Sequence, residues 1–359
     1  MKKSLRSVLA LLIVISMMAL VVAGCTSSPT TGGTTTTTPA PAAKGKVAMV
    51  TDVGGLGDKS FNDLSWAGLQ KAQTDLGVEA KVLESKQIAD YESNLTQLAS
   101  AGYSPIFAVG FLMQDAVTKV ATSTPGTNFG GIDIFFGDPI PKNAVGLNFK
   151  EQEAGYLAGI VAGLATKSNF DARLNAANTI GFVGGMAIPP VQRYEAGFVA
   201  GAKSVNPTVK VISLYAGAFD DQAKGKELGL SLISQGADVV FAAAGQTGIG
   251  TFNACQSSKK ALFIGVDTDQ YMTLTSPGDT ILTSAVKKID VAVFNVVKQT
   301  LDGKFPGGQN LSFGLAEDGV GLSPFHDFDA KVPQAIKDAV AKATADIKAG
   351  TVTVPVTVK

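Results

Sequence analysis

The 359-residue sequence is poor in the side chains from which reactive centres are most often built: one histidine, His326, one tryptophan, Trp66, and two cysteines, Cys25 and Cys255. A metal site built on Cys and His would have too few ligands. A Ser–His–Asp triad would have to use His326, and a Cys–His dyad would need Cys255 as well. The segment Ser323-Pro324-Phe325-His326-Asp327 reads instead as a surface turn, and Cys255 as a small buried hydrophobe on a helix. No EF-hand spacing and no P-loop is present. Gly55-Leu56-Gly57 begins a G-x-G, but its third glycine position is Ser60. Charge of neither sign is in excess: 30 Lys+Arg face 30 Asp+Glu, which leaves no basic surplus for a nucleic acid. No cofactor, no metal and no catalytic residue is therefore expected.

What is present begins with an address. Lys2, Lys3 and Arg6 precede an apolar run from Val8 to Val22 that only Ser16 interrupts, and Val22-Ala23-Gly24-Cys25 ends it with small residues before a cysteine. This is the pattern of a secretory signal with a lipoprotein-type cleavage site, so Cys25 is expected to become a lipidated N-terminus. The run falls short of the roughly 20 residues of a spanning helix. Ser27 to Ala43 follows, rich in Ser, Thr, Gly, Pro and Ala, and unable to bury apolar area. It reads as a disordered tether holding a body off the membrane. No later stretch is apolar enough to span a bilayer, and Cys255 has no partner for a structural disulfide.

With 45% hydrophobic and 17% charged residues, the body has material for a large core, and its length suits two lobes. From Lys46 it repeats one unit: a short apolar run, a polar or glycine turn, then a helical pattern. Lys46–Thr51 precedes Phe61–Gly77, Glu79–Leu83 precedes Asp90–Ala101, and Ile106–Val109 precedes Leu112–Ser123. Phe129–Ile134 and Val145–Phe149 are further strands, and Glu151–Ala165 is a long Ala- and Gly-rich helix. The pattern restarts at Thr179 and runs through strands at Val239–Ala243, Ala261–Val266 and Ile281–Val286 to a helix at Val332–Lys348 and a β-type segment at Val352–Val358. Such alternation predicts parallel sheets covered by helices, here two doubly wound α/β lobes facing each other across a cleft.

Ligands of such sheets bind beyond the carboxyl ends of the strands. The residues to inspect there are Asp52, Gly110-Phe111, Asp133, Gly184-Gly185, Gly245-Gln246, Asp267 and Lys287. A carboxylate facing a cleft accepts two hydroxyls at once, as a vicinal diol presents them, and a lysine can donate to the same hydroxyls. The competing reading of each Asp is an ordinary surface turn. Phe61, Phe111 and Phe198 are candidate stacking faces for a flat ring, with core packing as the competing reading.

At these positions the chain resembles the basic membrane protein and purine nucleoside receptor family. Asp58-Lys59-Ser60-Phe61-Asn62 followed by Trp66-Ala67-Gly68 is similar to the family's opening signature. Gly110-Phe111, Asp133, Glu153–Gly159, Gly197–Gly201, Gly265–Gln270, Thr283–Lys287 and Gly319–Leu322 follow in the family's order. The turn Val53-Gly54-Gly55-Leu56 departs from it in carrying no polar residue beside Asp52. The resemblance implies a type I periplasmic-binding fold with a hinge, and a lipid-anchored, extracytoplasmic receptor, monomeric and not an enzyme. Such a receptor captures purine nucleosides such as inosine, guanosine or adenosine and delivers them to the permease subunits of an ABC importer. It implies that Phe61 and Phe198 sandwich the base, that Asp52, Asp133 and Asp267 hold base and ribose, and that Lys287 reaches the ribose. Gly245 would make a backbone contact, with Gly110, Phe111 and Asn62 lining the site. The expected segments are 1–25 for the signal and 26–45 for the tether. The first lobe is then 46–149 plus about 284–325, and the second 150–283 plus about 326–359. A receptor of the same fold for a sugar or other small polar solute, and a surface sensor without transport, are the alternatives.

Overall fold

β1 (Lys46–Val50) is apolar after its exposed first residue, and its side chains divide between two cores: Val47 and Met49 enter one, Ala48 and Val50 the other. That is the signature of a strand covered on both faces. The structure, a computed structural model, describes residues 43–358 apart from residue 277. The expected signal, with Cys25, and most of the expected tether lie outside the described residues. After β1 come α1 (Phe61–Leu76), β2 (Glu79–Leu83), α2 (Asp90–Ser100), β3 (Ile106–Val109), α3 (Gln114–Ser123), β4 (Phe129–Ile132) and β5 (Ala144–Phe149). α4 (Glu151–Ala165), β6 (Thr179–Gly184), α5 (Pro189–Val205), β7 (Lys210–Tyr215), α6 (Gln222–Ser234) and β8 (Ala237–Ala243) follow. Then come α7 (Gly245–Ser258), β9 (Leu262–Asp267), the single-turn α8 (Gln270–Thr273) and β10 (Ile281–Lys287). The chain closes with α9 (Ile289–Leu301), β11 (Gln309–Phe313), β12 (Val320–Leu322) and α10 (Gln334–Lys348).

Two six-stranded sheets result, in the orders β2-β1-β3-β4-β5-β11 and β7-β6-β8-β9-β10-β12. Every pairing is parallel except β12, which runs antiparallel to β10. The chain thus passes between the lobes three times: after β5, after β10, and between β11 and β12. This corrects the expected boundary at about 284. Ser284 to Lys287 pair with β9 or β12 in the second sheet, and β12 belongs there too, so the first lobe regains only α9 and β11. Strand after strand of one pattern cannot reveal which sheet the next one joins. Val352–Val358, expected as β-type, forms no strand. Among the described residues no helix is long and apolar enough to cross a membrane.

α4 and α5 pack at close range because their facing residues have no side chain. A Cβ at Gly159 would lie 2.1 Å from the Phe198 carbonyl oxygen, and one at Gly201 would lie 2.0 Å from that of Tyr156. The Gly-rich motifs at 153–159 and 197–201 are therefore the two halves of one helix contact. Cys255 is buried on α7, as expected, and burial pushes its thiol up to about 12. His326 is only partly exposed. Its Nε2 lies 2.7 Å from Asp269 Oδ2, and its ring stacks on Tyr271 at 4.1 Å.

Candidate functional site

The carboxyl ends of both sheets meet at one cavity lined by residues of both lobes. Nine of the ten residues expected at the site line it: Asp52, Phe61, Asn62, Gly110, Phe111, Asp133, Gly245, Asp267 and Lys287. The tenth, Phe198, does not. It is fully buried, with its ring 6.3 Å from Phe182 and 5.3 Å from Phe241. The reason is helical geometry: with Gly197 and Gly201 turned to α4, Phe198 is directed into the aromatic core beneath the sheet. The aromatic rings that the second lobe brings to the cavity are Tyr194, on α5, and Phe219, in the turn after β7. Phe219 lies over Gly185, where a Cβ would stand 2.3 Å from its Cδ1.

One end of the cavity is organised by Asp58, fully buried at the start of α1. Its carboxylate accepts from the backbone N–H groups of Ser60, Asn62 and Asp63, the free donors of the helix's first turn. It also accepts from Asn62 Nδ2 at 3.1 Å. The same Nδ2 donates to Asp52 Oδ1 at 2.8 Å, while Asn62 Oδ1 accepts from the Asp52 N–H at 3.3 Å. Both amide protons and the amide oxygen of Asn62 are thus engaged inside the protein, so this residue orients Asp52. Asp52 Oδ1 takes a second bond, from the Gly54 N–H at 2.8 Å. Among the described residues its other oxygen accepts no hydrogen bond. Burial, opposed by these donors, lifts Asp52 to about 6, and burial lifts Asp58 to about 7.

The other end is ionic. The Lys287 ammonium, 2% exposed, donates to Asp133 Oδ2 at 2.7 Å and to Glu151 Oε1 at 3.2 Å, and stands 4.0 Å from Asp267 Oδ1. Three rings surround it: Phe61 at 5.0 Å, Phe149 at 5.2 Å and Tyr194 at 5.9 Å. Glu151 Oε2 accepts from Arg193 Nε at 2.6 Å. Asp267 accepts from Tyr194 Oη at 3.2 Å and from Ser60 Oγ, of the opposite lobe, at 2.8 Å. Burial works against the charge of Lys287, but the three carboxylates outweigh it and hold its pKa above the ordinary lysine value. Burial lifts Asp133 to about 7, against the pull of Lys287 and with the push of Glu151. Among the described residues Asp133 Oδ1, which is buried, has no hydrogen-bond partner. Asp133 and Asp267 both have left-handed backbone, at φ 58° and 62°. That costs a non-glycine residue on the order of 1 kcal/mol and is characteristic of positions under functional constraint.

The lobes are joined over the cavity by further bonds. Gln246 Nε2 donates to the Gly54 carbonyl at 2.8 Å, and Thr273 Oγ1 and Gln270 Nε2 donate to that of Lys59 at 3.0 and 3.3 Å. The sequence reading missed Phe219, Tyr194, Asp58, Glu151 and Arg193. Phe219 follows the carboxyl end of β7 and was open to the same criterion as the others. Glu151 and Arg193 lie within helices, where position relative to a strand end says nothing.

The family described as "ABC transporter substrate-binding protein PnrA-like" matches residues 45–357. The chain is 39% identical over 327 residues to the ABC transporter nucleoside-binding protein BmpA of Lactococcus lactis subsp. cremoris, covering 86% of this chain and 89% of that one. It is 38% identical over 293 residues to an uncharacterized lipoprotein of Pyrococcus abyssi, covering 78% and 69% of the two chains. The solved structure of an ABC transporter system solute-binding protein from Aeropyrum pernix K1 matches with a TM-score of 0.78 at 29% identity, covering 87% of this chain and 94% of that one.

Proposed function

Because this chain belongs to the PnrA-like family of ABC transporter substrate-binding proteins, we propose that it captures a purine nucleoside between its lobes and presents it to the permease of an importer. The family binds solutes outside the cytoplasm and is not a family of enzymes. The observation that carries the nucleoside reading is the pairing at the ionic end. Asp133 Oδ1 lacks a donor, and beside it Lys287 has two of its three N–H groups engaged. A free acceptor next to a free donor suits a hydroxyl, and a neighbouring carboxylate suits a second, which is the demand of a ribose diol. Phe61 and Phe219, one from each lobe, offer faces to a flat base. The unpaired oxygen of Asp52, at the far end, accepts an N–H from that base.

In this reading closure is the binding event, and the ligand shifts the lobes by its preference for the closed state. The receptor is a monomer tethered by lipid on Cys25. Calorimetry with inosine, guanosine and adenosine against ribose, arabinose and glucose tests the reading. A nucleoside at about 100 times its dissociation constant should add about 2.7 kcal/mol of stability. Binding of a free sugar with no response to any nucleoside would overturn it in favour of a sugar receptor.

A further inference from the structure

Glu151 is the most deeply buried acid of the ionic end, at 0% exposure, and it does not line the cavity. It occupies the first position of α4, directly after the chain's first passage between lobes, while Lys287 is the last residue of β10, directly before the second. Glu151, Arg193 and Lys287 all belong to the second lobe; Asp133, the shorter partner of Lys287, belongs to the first. Parting the lobes would separate Lys287 from Asp133 and keep Glu151 as its hydrogen-bonded counter-ion, with the second-lobe Asp267 at 4.0 Å. A lysine side chain carries about 2 kcal/mol of rotamer entropy, and a free one would have to be ordered again at each capture.

We propose that Glu151, itself fixed by Arg193, is a positioning residue that holds the Lys287 ammonium aimed at the cavity when the lobes are apart, and so sets discrimination for hydroxyl-bearing ligands. The ion pair with Arg193 is what makes Glu151 rigid. One carboxylate oxygen serves each cation, with Arg193 Nε at 2.6 Å and Lys287 Nζ at 3.2 Å. The effect on ligand choice rests on the nucleoside reading above; the effect on Lys287 does not.

Glu151→Gln keeps the side-chain volume and removes the charge, and Glu151→Asp keeps the charge. With calorimetry, Glu151→Gln is expected to weaken inosine binding about tenfold or more while changing 2′,3′-dideoxyinosine binding less than about twofold. Glu151→Asp should recover part of the loss. Equal weakening of both ligands, or of neither, would overturn the proposal. In the ligand-free protein, side-chain ammonium NMR should show a slowly exchanging Lys287 resonance that Glu151→Gln abolishes; its persistence unchanged would also overturn it. If the wild-type protein ignores inosine yet loses this resonance on substitution, the nucleoside reading falls and the positioning role stands. Should Glu151→Gln fail to fold, Arg193→Met, at a side chain one-quarter exposed, carries both measurements, and no change in either overturns the proposal.

Discussion

At one end of the cavity Asp52 and Asp58 are held by backbone and amide N–H groups, and among the described residues neither forms a salt bridge. At the other, Asp133, Glu151 and Asp267 share Lys287 and Arg193. Both ends bury carboxylates, and each satisfies them differently. Burial, only partly offset by neutral donors, lifts Asp52 to about 6 and Asp58 to about 7, so that end answers to pH near neutrality. Paired charges keep Lys287 ionised, and each becomes costly once its partner is taken away. The contrast also divides the labour of recognition. The ionic end belongs to the hinge and holds both lobes, whereas the amide-held end is built within the first lobe.

Three substitutions separate the two ends. The largest effect belongs to Lys287→Met, which leaves three buried carboxylates with one cation. We expect a loss of about 3–5 kcal/mol of stability by urea denaturation, together with loss of nucleoside binding by calorimetry. A stability change within about 0.5 kcal/mol would show that the ionic end carries no net charge strain.

Asp52→Asn tests the other end through pH. The native carboxyl is raised from 3.8 to about 6, so the native state binds more protons than the unfolded chain across that interval. Its contribution to stability is greatest below the unfolded pKa and declines as pH rises through the native one, by at most roughly 3 kcal/mol. The amide oxygen can keep the bonds from Gly54 and Asn62, so the variant should lose this slope and little else. Denaturation at pH 4.5, 5.5 and 6.5 compares the two proteins, and parallel slopes would refute it. The variant also turns an acceptor toward the ligand into a donor, which should weaken 6-oxopurine nucleosides. The smallest effect belongs to Phe219→Ala, which touches neither charged end. Lost stacking should cost about 0.5–1.5 kcal/mol of affinity, with a melting temperature close to that of the wild type.

The alternation of strands and helices, the two lobes and the strand-end acids were legible because each depends on local pattern. Asp52, Asp133 and Asp267 follow or end apolar runs, and parallel sheets put such residues at one edge. Phe198 was misleading because a phenylalanine beside a glycine motif looks the same whether the motif meets a ligand or a helix. Only the 2.1 Å approach at Gly159 separates the two cases. Glu151 and Arg193 could not be found from spacing, since they meet across 42 residues of chain through the packing of α4 on α5. The lobe boundary failed at β10 because strand composition carries no record of its neighbour.

The threefold passage of the backbone has a consequence for biogenesis. The first sheet lacks its edge strand until residues 309–313 arrive, and α4 lacks the cover of α10 until 334–348 do. Neither half can be completed from a contiguous stretch, so the slow long-range contacts are the last to form. A polypeptide ordered in this way can close neither sheet nor cover α4 until nearly all of it is free to pair, so a truncation near its end strips cover from both halves at once.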